Sequence, residues 1–146
     1  MQAVVLTSTN GPSCLKIKEV ETPSPMPGEV RIKLVASALN RRDYWMTRGG
    51  YPGTQVPCIP GSDGAGIIDK IGEGVNSSLI GKEVILYPAR AWGENEVYYG
   101  PDFRVLGMPD QGTFAEFICS PAGDVHAKPE HLNWQQAAAI PLAGLT

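Results

Sequence analysis

The sequence is short of the features that would place it in several broad functional classes. No run of Lys or Arg exceeds the pair Arg41-Arg42, and the formal net charge is -3. There is therefore no basic footprint for a phosphate backbone or an anionic membrane. No apolar stretch approaches the ~20 residues of a membrane-spanning helix. The opening MQAVVLTSTNG has neither the basic start nor the long apolar run of a secretory leader. Histidine occurs twice and cysteine three times. Cys14, Cys58 and Cys119 form an odd, widely spaced set, which suits reduced thiols buried as small apolar groups rather than a disulfide framework. His126 and His131 have no Cys, His or acid cluster at ligand spacing around them and read as exposed polar residues. The absences together predict a soluble, cytoplasmic protein without nucleic-acid or membrane partners.

What is present is glycine and proline. With 17 and 13 of them in 146 residues, they make up about a fifth of the chain, above ordinary usage and below the range of low-complexity disorder. A chain of this length with 42% hydrophobic residues can bury roughly two thirds of its unfolded surface in one core. Apolar or alternating runs bounded by turn formers recur at 2–7, 15–21, 29–39, 66–71, 83–88, 113–120 and 124–128, and these predict short strands. Arg31-Ile32-Lys33-Leu34-Val35 alternates with period two, so one face is wet and the other packed, as in antiparallel sheets and barrels. Two stretches predict helix: 40–48, opened by the capping residue Asn40, and 133–140, opened by Asn133 and rich in Ala and Gln. Pro141 must end or kink the second of them. The segment 87–112 is dense in turn formers and aromatics without a clear period, and predicts a long excursion from the sheet. Asn76-Ser77-Ser78, a glycosylation sequon by pattern, reads as a turn.

The glycines of Pro60-Gly61-Ser62-Asp63-Gly64-Ala65-Gly66 satisfy neither G-x-G-x-x-G nor G-x-x-x-x-G-K-[ST]. They predict a tight turn entering a strand, not a phosphate cradle.

In order along the chain, Pro27-Gly28-Glu29-Val30, Asn40-Arg41-Arg42-Asp43, Ile59-Pro60-Gly61-Ser62-Asp63-Gly64-Ala65-Gly66, Gly81-Lys82-Glu83-Val84, Gly112-Thr113-Phe114-Ala115-Glu116-Phe117 and the closing Ala137-Ala138-Ala139-Ile140-Pro141-Leu142-Ala143-Gly144-Leu145-Thr146 resemble the N-terminal domain of medium-chain dehydrogenase/reductases. The resemblance implies a mainly β fold, a GroES-like, partly open β-barrel with a few short helices, over residues 1–128. It also implies that 129–146 begin the connection to a Rossmann domain that this chain does not contain. The apolar close AIPLAGLT suggests a cut chain, expected to be inactive by itself.

The departures from the family bear on mechanism. Zinc-dependent members place metal ligands at the positions of Asn40, Ser62 and Leu142, and an amide, a hydroxyl and an isobutyl group are no substitute. Nor does the excursion contain the cysteines of those members' structural zinc. The resemblance therefore points to the zinc-free, quinone oxidoreductase-like branch, with NADP or NAD as cofactor and a carbonyl, enone or quinone as substrate. It further implies a homodimer of the complete enzyme. Tyr44, Ser62 and Asp63 are the candidates for work on the substrate, and Asn40, Asp43 and Thr146 for contact with the cofactor. Each has a plainer alternative: Asn40 and Asp43 as a helix cap and its dipole partner, Ser62 and Asp63 as partners for turn backbone. Trp45, Tyr51, Trp92, Tyr98, Tyr99 and Phe103 are placed to wall a cleft for an apolar substrate. The rival expectations are a free-standing GroES-like binding or scaffold module and a nucleotide sensor without catalysis.

Overall fold

The alternating run around Ile32 becomes the central strand of the molecule. In the computed structural model, which describes residues 1–145, β1 (Gln2–Leu6), β2 (Leu15–Glu19) and β3 (Glu29–Ala38) are followed by α1 (Arg41–Thr47), then β4 (Asp63–Ile71), β5 (Glu83–Leu86), β6 (Ala89–Arg90) and β7 (Arg104–Val105). β8 (Phe117–Pro121), β9 (Val125–Ala127), α2 (Trp134–Ala138) and α3 (Pro141–Leu145) complete the order. A five-stranded antiparallel sheet runs β8-β3-β4-β5-β9, with β1-β2 and β6-β7 as separate ribbons. Ile32 pairs with Ile68 on one side and Ile118 on the other. The apolar face of this sheet, with Val30, Val84, Leu86 and Leu106, forms the main core, at about 2 kcal/mol for each fully buried aliphatic side chain. The register between β3 and β4 slips between Leu34 and Ala36, a bulge that bends the strand.

β1 turns this curled sheet into a partly open barrel. It is held at its middle and its end by segments remote in sequence: the Val4 amide donates to the Phe114 carbonyl at 2.7 Å and the Leu6 amide to that of Cys58 at 2.8 Å. A second core of small residues sits on the outer side, where Ala137 and Ala138 of α2 lie against Ala65, flanked by Ala36 and Ile85. Short side chains on both elements allow the helix its close approach. Pro141 does not kink α2, which stops at Ala138. It opens α3 instead, where the first turn needs neither its missing N–H nor a different φ.

Two expectations need correction. β4 begins at Asp63, not at residue 66, so Asp63-Gly64-Ala65 belong to the strand and the turn is confined to Pro60–Ser62. The reason is packing: a Cβ on Gly66 would press on the Lys33 carbonyl oxygen, so glycine here permits strand pairing rather than a turn. Likewise 113–116 are irregular apart from a bridge between Ala3 and Ala115, and the regular strand runs Phe117–Pro121. Asn76 does form a turn, its side chain accepting from the Ser78 amide at 3.0 Å. Among the described residues no helix is long and apolar enough to cross a membrane.

Candidate active site

Three segments converge at one end of the barrel: the β3–α1 junction, the Pro60–Ser62 turn with the start of β4, and α3. Gly61 makes the turn feasible. Its φ of +97° is a left-handed conformation that disfavours side chains, and a Cβ there would lie 2.5 Å from the Phe114 ring. Its amide donates to Asp43 Oδ1 at 3.1 Å, while Asp43 Oδ2 accepts from the Asn40 amide at 2.8 Å. Asp43 thus closes the first turn of α1 and ties it to the glycine turn in one stroke. Burial pushes its carboxyl above the ordinary carboxylate range, against the pull of the two amides and of Arg42.

Asp63 joins the other two segments. It is wholly inaccessible to solvent. Oδ2 accepts from Asn40 Nδ2 at 2.8 Å, Oδ1 accepts from the Leu142 amide at 2.7 Å, and its carbonyl accepts from Thr113 Oγ1 at 2.6 Å. Burial raises its carboxyl as well, opposed by the hydrogen bonds from Asn40 and Leu142. Asn40, Asp63 and Leu142 therefore form one connected unit, with the first residues of α3 fastened to the head of β4.

Ser62 faces the other way. Also fully buried, its hydroxyl donates to the Leu106 carbonyl at 2.7 Å and accepts from Arg42 Nη1. Of the two readings open for Ser62 and Asp63, a cleft-facing group or a partner for nearby backbone, the geometry is that of the second. Tyr44 is 46% exposed. Its ring meets Trp45 edge-on at 5.4 Å with the Arg48 guanidinium 5.5 Å away, and its hydroxyl has no hydrogen-bond partner among the described residues. With Asn40, Asp43, Leu39 and Phe114 it lines a small cleft of about 250 Å³. Thr146 lies outside the described residues.

A larger cleft, of about 630 Å³, opens on the opposite side of α1 and is lined by Arg42, Tyr51, Tyr87, Trp92, Phe103 and Leu142. Of the aromatics expected to wall a cleft, Tyr51, Trp92 and Phe103 do so here, while Trp45, Tyr98 and Tyr99 do not. Trp92 and Phe103 are packed edge to face at 5.5 Å. Arg42 is the residue that the sequence reading passed over, counting it only as half of a basic pair. The available signal was helical spacing: Arg42 stands one turn before Met46, which is completely buried, so it shares the inward face of α1.

The thiols take no part. Cys58 and Cys119 line a third cleft, beside Val5 and Arg90. Burial raises both, Cys119 to about 11, which leaves them without thiolate character at neutral pH.

The raised carboxyl of Asp63 has a measurable consequence. A group whose folded pKa exceeds its unfolded value of 3.8 stabilises the fold fully below that value and loses this contribution as pH rises through the folded pKa. Asp63→Asn removes the titration and leaves one amide donor facing another, which destabilises by about 1–3 kcal/mol. The deficit relative to the parent, measured by urea unfolding, is expected to be greatest near pH 4 and to shrink toward pH 7.

These features coincide with a known family. The alcohol dehydrogenase GroES-like domain matches residues 26–130. The zinc-type alcohol dehydrogenase-like protein YogA of Leptosphaeria maculans is 36% identical over 90% of this chain and 39% of its own length. The trans-enoyl reductase tazE of Aspergillus terreus is 30% identical over 99% of this chain and 44% of its own. A solved NAD-dependent alcohol dehydrogenase superimposes with a TM-score of 0.90 at 36% identity, covering 100% of this chain and 45% of that one. The chain thus spans about two fifths of the length of the proteins it matches. With more than half of its residues inside the matched domain, it belongs to the alcohol dehydrogenase GroES-like domain family of medium-chain dehydrogenase/reductases.

Proposed function

We propose that the chain is the substrate-binding portion of a zinc-independent oxidoreductase that uses NADP or NAD to reduce a carbonyl, enone or quinone. The observation that carries this reading is that Asn40, Asp63 and Leu142 close on one another while Ser62 closes on Arg42 and the Leu106 carbonyl. A zinc ion does not fit that set. The Asn40 amide nitrogen is a donor turned to Asp63, the Ser62 hydroxyl is sealed between Arg42 and Leu106, and Leu142 offers no side-chain ligand. Zinc asks instead for thiolate, imidazole or carboxylate with free lone pairs. Similarity to a trans-enoyl reductase supports a reductive reaction on a conjugated substrate.

In this reading Asp43, Ser62 and Asp63 are positioning residues. Asp43 fixes the glycine turn, Ser62 holds Arg42, and Asp63 keeps residues 141–142 against the floor of the site. Segment 129–146 then serves as the connection to a nucleotide-binding domain. Asn40 and Thr146 are assigned to the nicotinamide, which supplies hydride when bound. Tyr44, with its unpartnered hydroxyl, is assigned as a donor to a substrate oxygen.

The test uses the full-length gene product. Substoichiometric zinc, a change in nicotinamide fluorescence on titration with NADPH, and NADPH oxidation with enones or quinones that survives a chelator are expected. One zinc per chain, lost together with activity on chelation, would overturn the metal-free reading. Failure to bind either nucleotide would leave a binding or scaffold module.

A further inference from the structure

Arg42 carries a charge that nothing beside it neutralises. A guanidinium has five N–H donors, and three are engaged. Nη1 donates to Ser62 Oγ and to the Leu106 carbonyl at 2.6 Å, and Nη2 donates to the Met108 carbonyl at 3.1 Å. Two donors remain, one on Nη2 and one on Nε, and Nε is buried without a partner. Among the described residues no carboxylate lies within ion-pairing distance of Arg42. Asp43, which feels its charge, has both oxygens engaged by the Asn40 and Gly61 amides. The guanidinium also stacks over the Tyr51 ring at 4.9 Å, which fixes its plane. Arg90 also has a buried Nε without a hydrogen-bond partner, but it has two aspartates beside it, whereas Arg42 has no ion-pair partner among the described residues.

The position matters as much as the charge. Among the described residues Arg42 is the one charged residue lining the 630 Å³ cleft, whose other walls include Tyr51, Tyr87, Trp92, Phe103 and Leu142. Apolar and aromatic walls take a flat apolar body, and a fixed guanidinium takes a planar, electron-rich oxygen in a charge-assisted hydrogen bond. Ser62, through which Arg42 is held, occupies one of the three positions where the resemblance places metal ligands, so the cation stands against the site that a metal would otherwise fill.

We infer that Arg42 is the electrophilic anchor of this cleft, binding the oxygen of a flat, apolar, conjugated carbonyl or carboxylate compound whose body lies against Trp92 and Phe103. The inference rests on the proposed reductase reading for its chemistry, since the oxygen of such a compound gains negative charge when the conjugated system is reduced. As a binding statement it stands apart from hydride transfer.

The experiment compares cinnamate with cinnamyl alcohol, which share a body and differ in the charge at its end, by NMR titration of the 146-residue chain without nucleotide. Cinnamate is expected to bind about tenfold more tightly, the difference made by one charge-assisted hydrogen bond, and to shift the Arg42 Nε–H and Trp92 indole N–H signals. Arg42→Met is expected to abolish the preference, Arg42→Lys to keep part of it, and Trp92→Leu to weaken both compounds alike. Should Arg42→Met fail to fold, the parent titration and Arg42→Lys decide. Equal binding of the two compounds, no binding of either, or cinnamate shifts away from Arg42 and Trp92 would overturn the inference. A gene product that fails to oxidise NADPH while this preference holds would remove the reductase reading and leave the anchor in place.

Discussion

Arg90→Met is expected to lower the free energy of unfolding by about 3 kcal/mol and to loosen the excursion before the rest of the chain. Arg90 belongs to β6, yet its contacts reach well beyond it. Nη1 donates to Asp110 at 3.1 Å, Nη2 to Ser120 Oγ at 2.9 Å, and Nε lies 3.6 Å from Asp124. One side chain therefore fastens both ends of the excursion to β8 and to the turn before β9. Methionine keeps the apolar stem and deletes the charge, which leaves Asp110, largely buried, with only Arg104 at 3.7 Å. The predicted signature is local as well as global. Chymotryptic cleavage at the exposed Tyr98 and Tyr99 is expected to accelerate more than urea-induced unfolding of the sheet would account for. Equal loss of stability with no change in the cleavage rate would show that the excursion does not depend on this pin.

Gly66→Ala is expected to cost a similar amount for a different reason. The added Cβ would press on the Lys33 carbonyl oxygen and lie 2.7 Å from Ile32 Cγ2. Both atoms belong to β3, which is paired to β4 at this level, so the relief must come from the backbone of the central strand. Overpacking of that kind usually costs 1–3 kcal/mol, and a backbone obstacle places it near the top at about 3. In a chain of this size that corresponds to a fall in Tm of roughly 10 °C. Gly123→Ala is the control, since nothing lies within 4 Å of its Cβ and its φ is not in the left-handed region. Thermal unfolding of both, followed by circular dichroism, tests the contrast. A Gly66→Ala protein as stable as the parent would mean that β3 and β4 are free to separate by several tenths of an ångström.

Both predictions concern features that the sequence announces unevenly. The period-two run around Ile32 and the punctuation by glycine and proline were enough for the strands and for the mainly β fold, because side-chain alternation and turn chemistry are local. The start of β4 was not legible. Gly64 and Gly66 look like turn residues in isolation, and only their nearness to Leu34 and Lys33, some thirty residues earlier, explains them as strand positions. The two residues of β6 and the two of β7 were likewise invisible, being too short for any period. In the site, the motif order points to Asn40, Asp43, Tyr44, Ser62 and Asp63 as candidates, and the structure ties Asn40 to Asp63 and Asp43 to the glycine turn before it. Their division among separate surfaces was not foreseeable. Tyr44 lines one cleft and Arg42 another, set by the side of α1 that each occupies, while Ser62 and Asp63, in the turn and at the head of β4, line neither. Arg42 was missed because an arginine next to another arginine on a short helix reads as solvated charge until its burial is known.

The manner in which β1 is held has a bearing on how the chain reaches this state. Its partners outside the β1-β2 hairpin are Cys58 and the segment 114–116, with the Gln2 carbonyl accepting from the Glu116 amide across more than a hundred residues. During synthesis the first strand is therefore fully paired only once Glu116 has emerged, although Leu6 can meet Cys58 earlier. Closing so long a loop is entropically slow. The hairpin with β2 gives β1 an interim partner over that delay, so β2 works as a guard for a nascent edge that is otherwise open to pairing with neighbouring chains.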